Sequence, residues 1–250
     1  MVVNVIVSDL CFGYRKGHYV LIDITLSLNQ DMFPVAIVGP NGSGKSTLLK
    51  NISGIYKPDK GSIIIGNKNI HLLSGRERSN LVGVLFPDSV YPASISVMDV
   101  ALSGLYRYVP LSMGYPKHLV EKAFDVMKRL NIDYLRDRQF NRISSGERQL
   151  VLIAMVMLQN PQVILLDEPT SFLDPMHKYM LLEVLGVLSE SHSLVFSSHD
   201  VEFIRAISRF VIGIKNGKII FTGKTSKFFK QGFELVFGMP YSRYVGVLGL

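Results

Sequence analysis

The segment Gly39-Pro40-Asn41-Gly42-Ser43-Gly44-Lys45-Ser46, followed by Thr47, constrains the fold more than any other stretch of the chain. It has the form G-x-x-x-x-G-K-[ST]. Four apolar residues, Val35-Ala36-Ile37-Val38, precede it as a short buried strand, and Leu48, Leu49 and Ile52 follow at helical spacing, with Gly54 near the helix end. The glycines let the backbone curl until successive N–H groups face a polyphosphate, while the helix behind adds its partly positive N-terminus. In that arrangement Lys45 reaches the β- and γ-phosphates and Ser46 sets its hydroxyl on Mg2+. An ordinary glycine-rich turn shares the composition but does not require a strand before and a helix after.

A second apolar run, Val163-Ile164-Leu165-Leu166, ends in Asp167-Glu168. A strand apolar on both faces belongs in the middle of a parallel sheet, and the C-terminal edge of such a sheet is where ligands sit. Asp167 is expected to hold Mg2+ through water, and Glu168 to orient or deprotonate an attacking water. Adjacent acids at a strand end also suit a solvated turn, a reading the phosphate loop in the same chain disfavours. Further strands are expected over Val2–Val7, Val20–Leu28, Ser62–Ile65, Leu194–Ser197, Val211–Ile214 and, beyond a hairpin at Gly217, Ile219–Thr222. This alternation of β and α predicts an α/β fold with a mainly parallel sheet and an N-terminal antiparallel β portion. Between about Ser89 and Pro161 the apolar residues recur at helical spacing, in His118–Leu130 and Glu147–Leu158, with no convincing strand. An α-helical subdomain inserted into the sheet domain is therefore expected: residues 1–88 and 161–223 as core, 89–160 as the insertion, and 224–250 as a basic C-terminal extension.

Apolar residues at 48% and charged residues at 19% exclude a disordered chain. The run Gln149–Leu166 carries no charge and approaches the roughly 20 residues a membrane span needs, but Gln159-Asn160-Pro161-Gln162 divides it into a helix and a strand. Net charge is +7, and residues 205–250 hold eight basic groups against the single acid Glu234, so the excess lies outside the phosphate chemistry. Such a tail suits nucleic acid, an anionic membrane surface, an acidic partner or plain solubility. The single Cys11 cannot form an internal disulfide, and the N-terminus has no basic-plus-apolar leader, so a reducing cytoplasm is expected.

Between the two phosphate-site motifs stands Ile143-Ser144-Ser145-Gly146-Glu147-Arg148-Gln149, which resembles the signature motif of ATP-binding cassette (ABC) ATPases, usually Leu-Ser-Gly-Gly-Gln. Glu168-Pro169-Thr170 and Ser171-Phe172-Leu173-Asp174 resemble that family's acid-Pro-Thr step and D-loop, and Ser197-Ser198-His199-Asp200 resembles its switch histidine. Tyr14 resembles the aromatic residue that stacks on adenine. The resemblance runs from about Val5 to Gly223, and its motifs occur in the family's order. It implies a RecA-like P-loop core, ATP and Mg2+ as cofactors, Glu168 and His199 as catalytic residues, and Tyr14 with the loop 39–47 as the nucleotide site. It also implies that Ser144, Ser145, Gly146 and Glu147 of one subunit cap the γ-phosphate held by another, so two ATP molecules join a homodimer or a pair of ABC subunits, with Asp174 in the D-loop. Taken alone, Ser144 and Glu147 also fit a helix cap, and both roles can coexist.

One position departs from the family: Pro87 stands where the Q-loop glutamine is expected after Val82-Gly83-Val84-Leu85-Phe86, and Asp88 is expected to replace it as a metal ligand. The resemblance further implies an ATPase that energises separate transmembrane permease subunits from the cytoplasmic face of the membrane, as a peripheral protein, with a permease helix seated near Pro87–Pro92. The ending Phe233–Pro240 looks like that of import cassettes for iron chelates, haem or cobalamin. The alternative is a soluble ABC ATPase acting on nucleic acid or ribosomes through the basic tail; against it, the chain shows neither a tandem cassette nor a coiled-coil insertion. A small-molecule kinase does not account for the signature motif and D-loop.

Overall fold

The computed structural model describes residues 2–86, 91–92, 94–109, 114–171 and 173–248. Strands β1 (Val5–Phe12) and β2 (Leu21–Leu28) pair antiparallel. β1 starts later and runs further than the expected Val2–Val7, because the register shifts between Val7 and Leu10, with Asp9 at φ 48°, and the alternation breaks there. The chain continues through β3 (Val35–Val38), α1 (Lys45–Ile52), β4 (Lys60–Ile65) and β5 (Lys68–Asn69), then α2 (Gly75–Leu81), which Ser74 and Glu77 cap reciprocally, and β6 (Val82–Leu85). Helices α3 (Val97–Ser103), α4 (Lys117–Arg129) and α5 (Ser145–Gln159) follow with no strand among the described residues between them. The last part alternates β7 (Val163–Asp167), α6 (Pro175–Ser189), β8 (Ser193–Ser197), α7 (Val201–Ile207), β9 (Phe210–Lys215) and β10 (Lys218–Lys224).

Two sheets result. One is antiparallel with order β2-β1-β4-β5; the other has order β10-β9-β3-β8-β7-β6, parallel throughout except for β10. The apolar strands of the second sheet serve two cores at once. Ala36, Val38, Ile164, Leu166, Leu194 and Phe196 face the helical side, whereas Val35, Ile37, Val163, Leu165 and Val195 face α1 and the antiparallel sheet. This double coverage explains why β3 and β7 read as continuous apolar runs. The α/β fold with a mainly parallel sheet and an N-terminal antiparallel portion is thus as expected. Helix α6 was not anticipated, because Met180, Leu181, Leu182, Val184, Leu185, Val187 and Leu188 are nearly continuous and mark no single face, although only Leu181 and Leu185 are buried.

Helices α3, α4 and α5 pack on one another and share the first core. Their closeness depends on Gly104, where a Cβ would lie 2.1 Å from the Met155 carbonyl oxygen. Beyond β10, α8 (Thr225–Lys227), a π-helical turn over Phe228–Gly232, α9 (Phe233–Phe237) and α10 (Tyr241–Leu248) fold back onto the sheet. Aromatic contacts hold them: Phe221 to Phe228 at 5.6 Å, Phe228 to Phe233 at 5.8 Å and Phe233 to Tyr241 at 5.3 Å between ring centroids. Such pairs contribute about 0.5–1.5 kcal/mol each beyond burial. Lys224, Lys227 and Lys230 stay on the exposed side of this segment. Among the described residues no helix is long and apolar enough to cross a membrane.

Candidate functional site

Because β3, β8 and β7 are parallel neighbours, the segments that leave their C-terminal ends meet at one sheet edge. Those segments begin at Gly39, Ser198 and Glu168. The loop after β3 lies tight against β9: a Cβ on Gly39 would sit 2.1 Å from the Ile214 carbonyl oxygen, so the chain passes there only as glycine. Gly217 N donates to the Ser43 carbonyl at 3.1 Å and anchors the loop to the β9–β10 hairpin.

Inside this loop the Lys45 ammonium donates to the carbonyls of Gly39 at 2.9 Å and Pro40 at 3.3 Å. Burial pushes its pKa below the ordinary lysine value, while the nearby charges of Glu168 and Asp167 pull it partly back. Ser43 Oγ is buried with no hydrogen-bond partner. A buried hydroxyl is seldom left unpaired, and beside a buried cation and the free amides opening α1 it fits a phosphate oxygen.

Asp167 is almost wholly buried and accepts from Ser197 Oγ at 2.5 Å. The same Ser197 oxygen accepts from Glu168 N at 3.0 Å. Glu168 has φ 49°, a left-handed conformation that costs a non-glycine residue about 1–3 kcal/mol and occurs mostly at functional sites. Its carboxylate lies 2.8 Å from His199 Nδ1, and the His199 side chain is 68% exposed. Among the described residues no cluster of His, Cys, Asp and Glu could hold a metal by itself. One hydroxyl, Ser46, and one carboxylate, Asp167, form the kind of partial donor set that suits a Mg2+ ligated mainly by phosphate and water.

Tyr14 lies just beyond β1 and is 58% exposed. Its hydroxyl is 3.0 Å from Thr47 Oγ1, and its ring meets Phe12 and Tyr56 edge-on. Tyr14 therefore stands at the start of α1 beside the loop.

The signature segment stands apart. Ser144 is the N-cap of α5: its Oγ accepts from Glu147 N, and Glu147 Oε2 accepts from Ser144 N at 2.8 Å. The other Glu147 oxygen accepts from the Tyr134 hydroxyl at 2.8 Å. Although burial pushes the Glu147 pKa up, the bonds from Ser144 and Tyr134 outweigh it and leave it below the ordinary value. Ser145 is exposed and Gly146 buried at the first turn. Among the described residues no hydrogen bond joins 144–147 to the phosphate loop; the link to the site is indirect, through Gln149 Nε2 donating to the Pro169 carbonyl at 3.0 Å. Asp174 caps α6, taking His177 N at 2.9 Å and standing 2.8 Å from His177 Nδ1, and these bonds hold its carboxyl below the usual range. Asp88, Pro87 and Phe172 lie outside the described residues.

Sequence reasoning missed two members of the site. Ser197 was seen only as part of a motif, with nothing to show that it bonds Asp167. Lys178 on α6 donates to Asp200 at 2.7 Å, directly behind His199. Burial pushes the Asp200 pKa up, but the bonds from Lys178 and Phe203 N prevail and hold it below the ordinary value. The cap spacing from Asp200 to Phe203 was legible; a partner on another helix was not.

A family model for ABC transporter matches residues 21–171. The chain is similar to an uncharacterized ABC transporter ATP-binding protein of Methanocaldococcus jannaschii, at 34% identity over 97% of this chain and 84% of that protein. It is also similar to the ferric enterobactin transport ATP-binding protein of Escherichia coli, at 32% identity over 86% of this chain and 80% of that protein. A phosphonates import ATP-binding protein of Nitratidesulfovibrio vulgaris is 31% identical over 94% of this chain and 92% of its own. Among solved structures, the dimeric post-hydrolysis state of an ATP-binding cassette bound to ADP and inorganic phosphate superposes with TM-score 0.79 at 25% identity, covering 88% of this chain and 98% of that one.

Proposed function

The chain belongs to the ABC transporter ATP-binding family, whose cassettes bind and hydrolyse ATP, and from that premise we propose that it is the subunit that energises a membrane transporter through ATP-driven pairing of two cassettes. The observation that carries this reading is the Glu168–His199 contact at 2.8 Å beside a buried lysine and an orphaned serine hydroxyl. ATP with Mg2+ supplies the electrophilic γ-phosphoryl group and its charge compensation. Lys45 and the backbone N–H groups of the loop, of which Pro40 offers none, would hold the phosphates, and Ser46 and Asp167 would hold the metal. Glu168 takes a proton from the attacking water, and His199, whose exposed ring meets Glu168 through Nδ1, hydrogen-bonds the γ-phosphate.

In this reading residues 1–88 and 161–223 are the nucleotide core and 89–160 the helical arm. The first turn of α5, with Ser144 and Ser145 exposed and Gly146 and Glu147 behind them, meets the nucleotide of a second cassette, and Asp174 belongs to the D-loop of the same interface. Glu147 then acts by fixing the first turn, since its own oxygens are engaged. Permease subunits are separate polypeptides, the protein is peripheral on the cytoplasmic face of the membrane, and the cargo is an imported metal chelate or similar solute. Residues 224–250 are the basic extension, of which the part up to Tyr244 folds onto the sheet by its aromatic contacts. The test of partnership is purification from native membranes: a multi-span membrane protein is expected to co-purify, whereas retention on RNA at physiological salt without such a protein would overturn the transport reading.

Two substitutions probe the nucleotide site. Tyr14→Ala is expected to weaken ATP binding by about tenfold, since stacking of a base on an aromatic ring contributes about 1–3 kcal/mol, whereas Tyr14→Phe keeps most of it. Calorimetric titration distinguishes the two, and equal affinities would remove the stacking role. Asp88→Ala is expected to lower Mg2+-dependent turnover; an unchanged rate means that Asp88 does not replace the missing glutamine.

A further inference from the structure

A second pocket, of about 680 Å3, lies at the opposite, N-terminal edge of the parallel sheet. Asn80 precedes β6, Gln162 precedes β7 and His192 precedes β8, and all three line it, together with Arg76 of α2 and Arg107 from the turn after α3. Its volume is within the roughly 300–1,000 Å3 of ordinary small-molecule sites.

Among the described residues no carboxylate lines this pocket. Among the described residues neither guanidinium pairs with an acid; both are held by neutral groups. Arg107 donates to Asn80 Oδ1 at 2.7 Å and to the Tyr108 hydroxyl, and Arg76 donates to the Arg107 carbonyl at 2.8 Å. Two positive charges are thus positioned side by side with no carboxylate partner among the described residues, the Arg107 guanidinium lying over the Tyr108 ring at 4.6 Å. Moreover, Arg107 Nε is buried and has no partner. A buried donor left unpaired costs about 1–3 kcal/mol, more when charged, so this N–H calls for an acceptor that the chain does not provide. His192 adds no charge, since burial lowers its pKa, and its Nε2 sits 3.0 Å from Asn160 Oδ1. Planar guanidinium forks match the oxygens of a phosphate.

We propose that this pocket binds the phosphate group of a small soluble anion between Arg76 and Arg107. The pocket joins α2 and the strand starts to the turn after α3 and the end of α5. The inference stands on the pocket alone and does not depend on the transport reading.

The experiment titrates inorganic phosphate into the full chain with a non-hydrolysable ATP analogue saturating the nucleotide site, read by calorimetry. Saturable binding is expected. Arg76→Gln and Arg107→Lys should each weaken it by about tenfold or more, the loss of one charge-assisted hydrogen bond, while affinity for the analogue is unchanged. Arg107→Lys keeps the charge and removes only the fork, so it separates a built site from general attraction. Absence of saturable binding with the analogue in place, or the same isotherm in both variants, would overturn the proposal. Citrate is titrated in parallel, and saturation by citrate but not phosphate would overturn the assignment to phosphate.

Discussion

Glu168→Gln is expected to leave ATP binding intact, to lower turnover by about 10²–10⁴-fold, and to accumulate ATP-bound dimers. Glutamine keeps the size and one acceptor oxygen of Glu168 but cannot take a proton from water, and removing a well-placed general base has a cost of that order. The geometry favours this residue: its left-handed backbone turns the carboxylate out of the β7 line toward the sheet edge, where the His199 amide and ring both meet it. Single-turnover phosphate release measures the chemical step, and size exclusion with ATP measures pairing. Turnover near the wild-type rate would remove Glu168 from the chemistry, while a variant that binds ATP yet stays monomeric would sink the paired mechanism.

Ser197→Ala is expected to reduce folding stability by about 1–3 kcal/mol, which for a chain of this size lowers Tm by roughly 2–4 °C per kcal/mol. The Ser197 side chain is fully buried and serves two groups at once, donating to Asp167 and accepting from Glu168 N. Alanine leaves a buried carboxylate oxygen without its donor. The Glu168 amide retains the Ser197 carbonyl at 3.2 Å, so the loss falls mainly on Asp167. ATPase activity should fall as well, because Asp167 is no longer held. Thermal unfolding without nucleotide is the first measurement, and an unchanged Tm would show that Ser197 does not support the acids.

The legible part of the site is the part written in contiguous residues. A phosphate loop works through successive backbone amides and the helix that follows, so Gly39–Ser46 with its flanking strand and helix carries its chemistry in one stretch. The same holds for Asp167-Glu168 at the end of an apolar strand and for the Ser144–Glu147 cap. Elements whose apolar pattern is ambiguous were harder: β1 was cut short at its bulge, and α6 stayed hidden in a nearly uniform apolar run.

What the sequence by itself determined is an α/β chain with a mainly parallel sheet, a polyphosphate loop and two acids at a strand end, because each depends on local periodicity or on adjacent residues. Only the tertiary structure decided which distant groups serve them. The strand order β10-β9-β3-β8-β7-β6 places Ser197 against Asp167, Lys178 behind His199, and Arg76 beside Arg107 at the far edge. That order arises from burying both faces of the sheet at once, a requirement that couples residues far apart in the chain and leaves no periodic trace in any one segment.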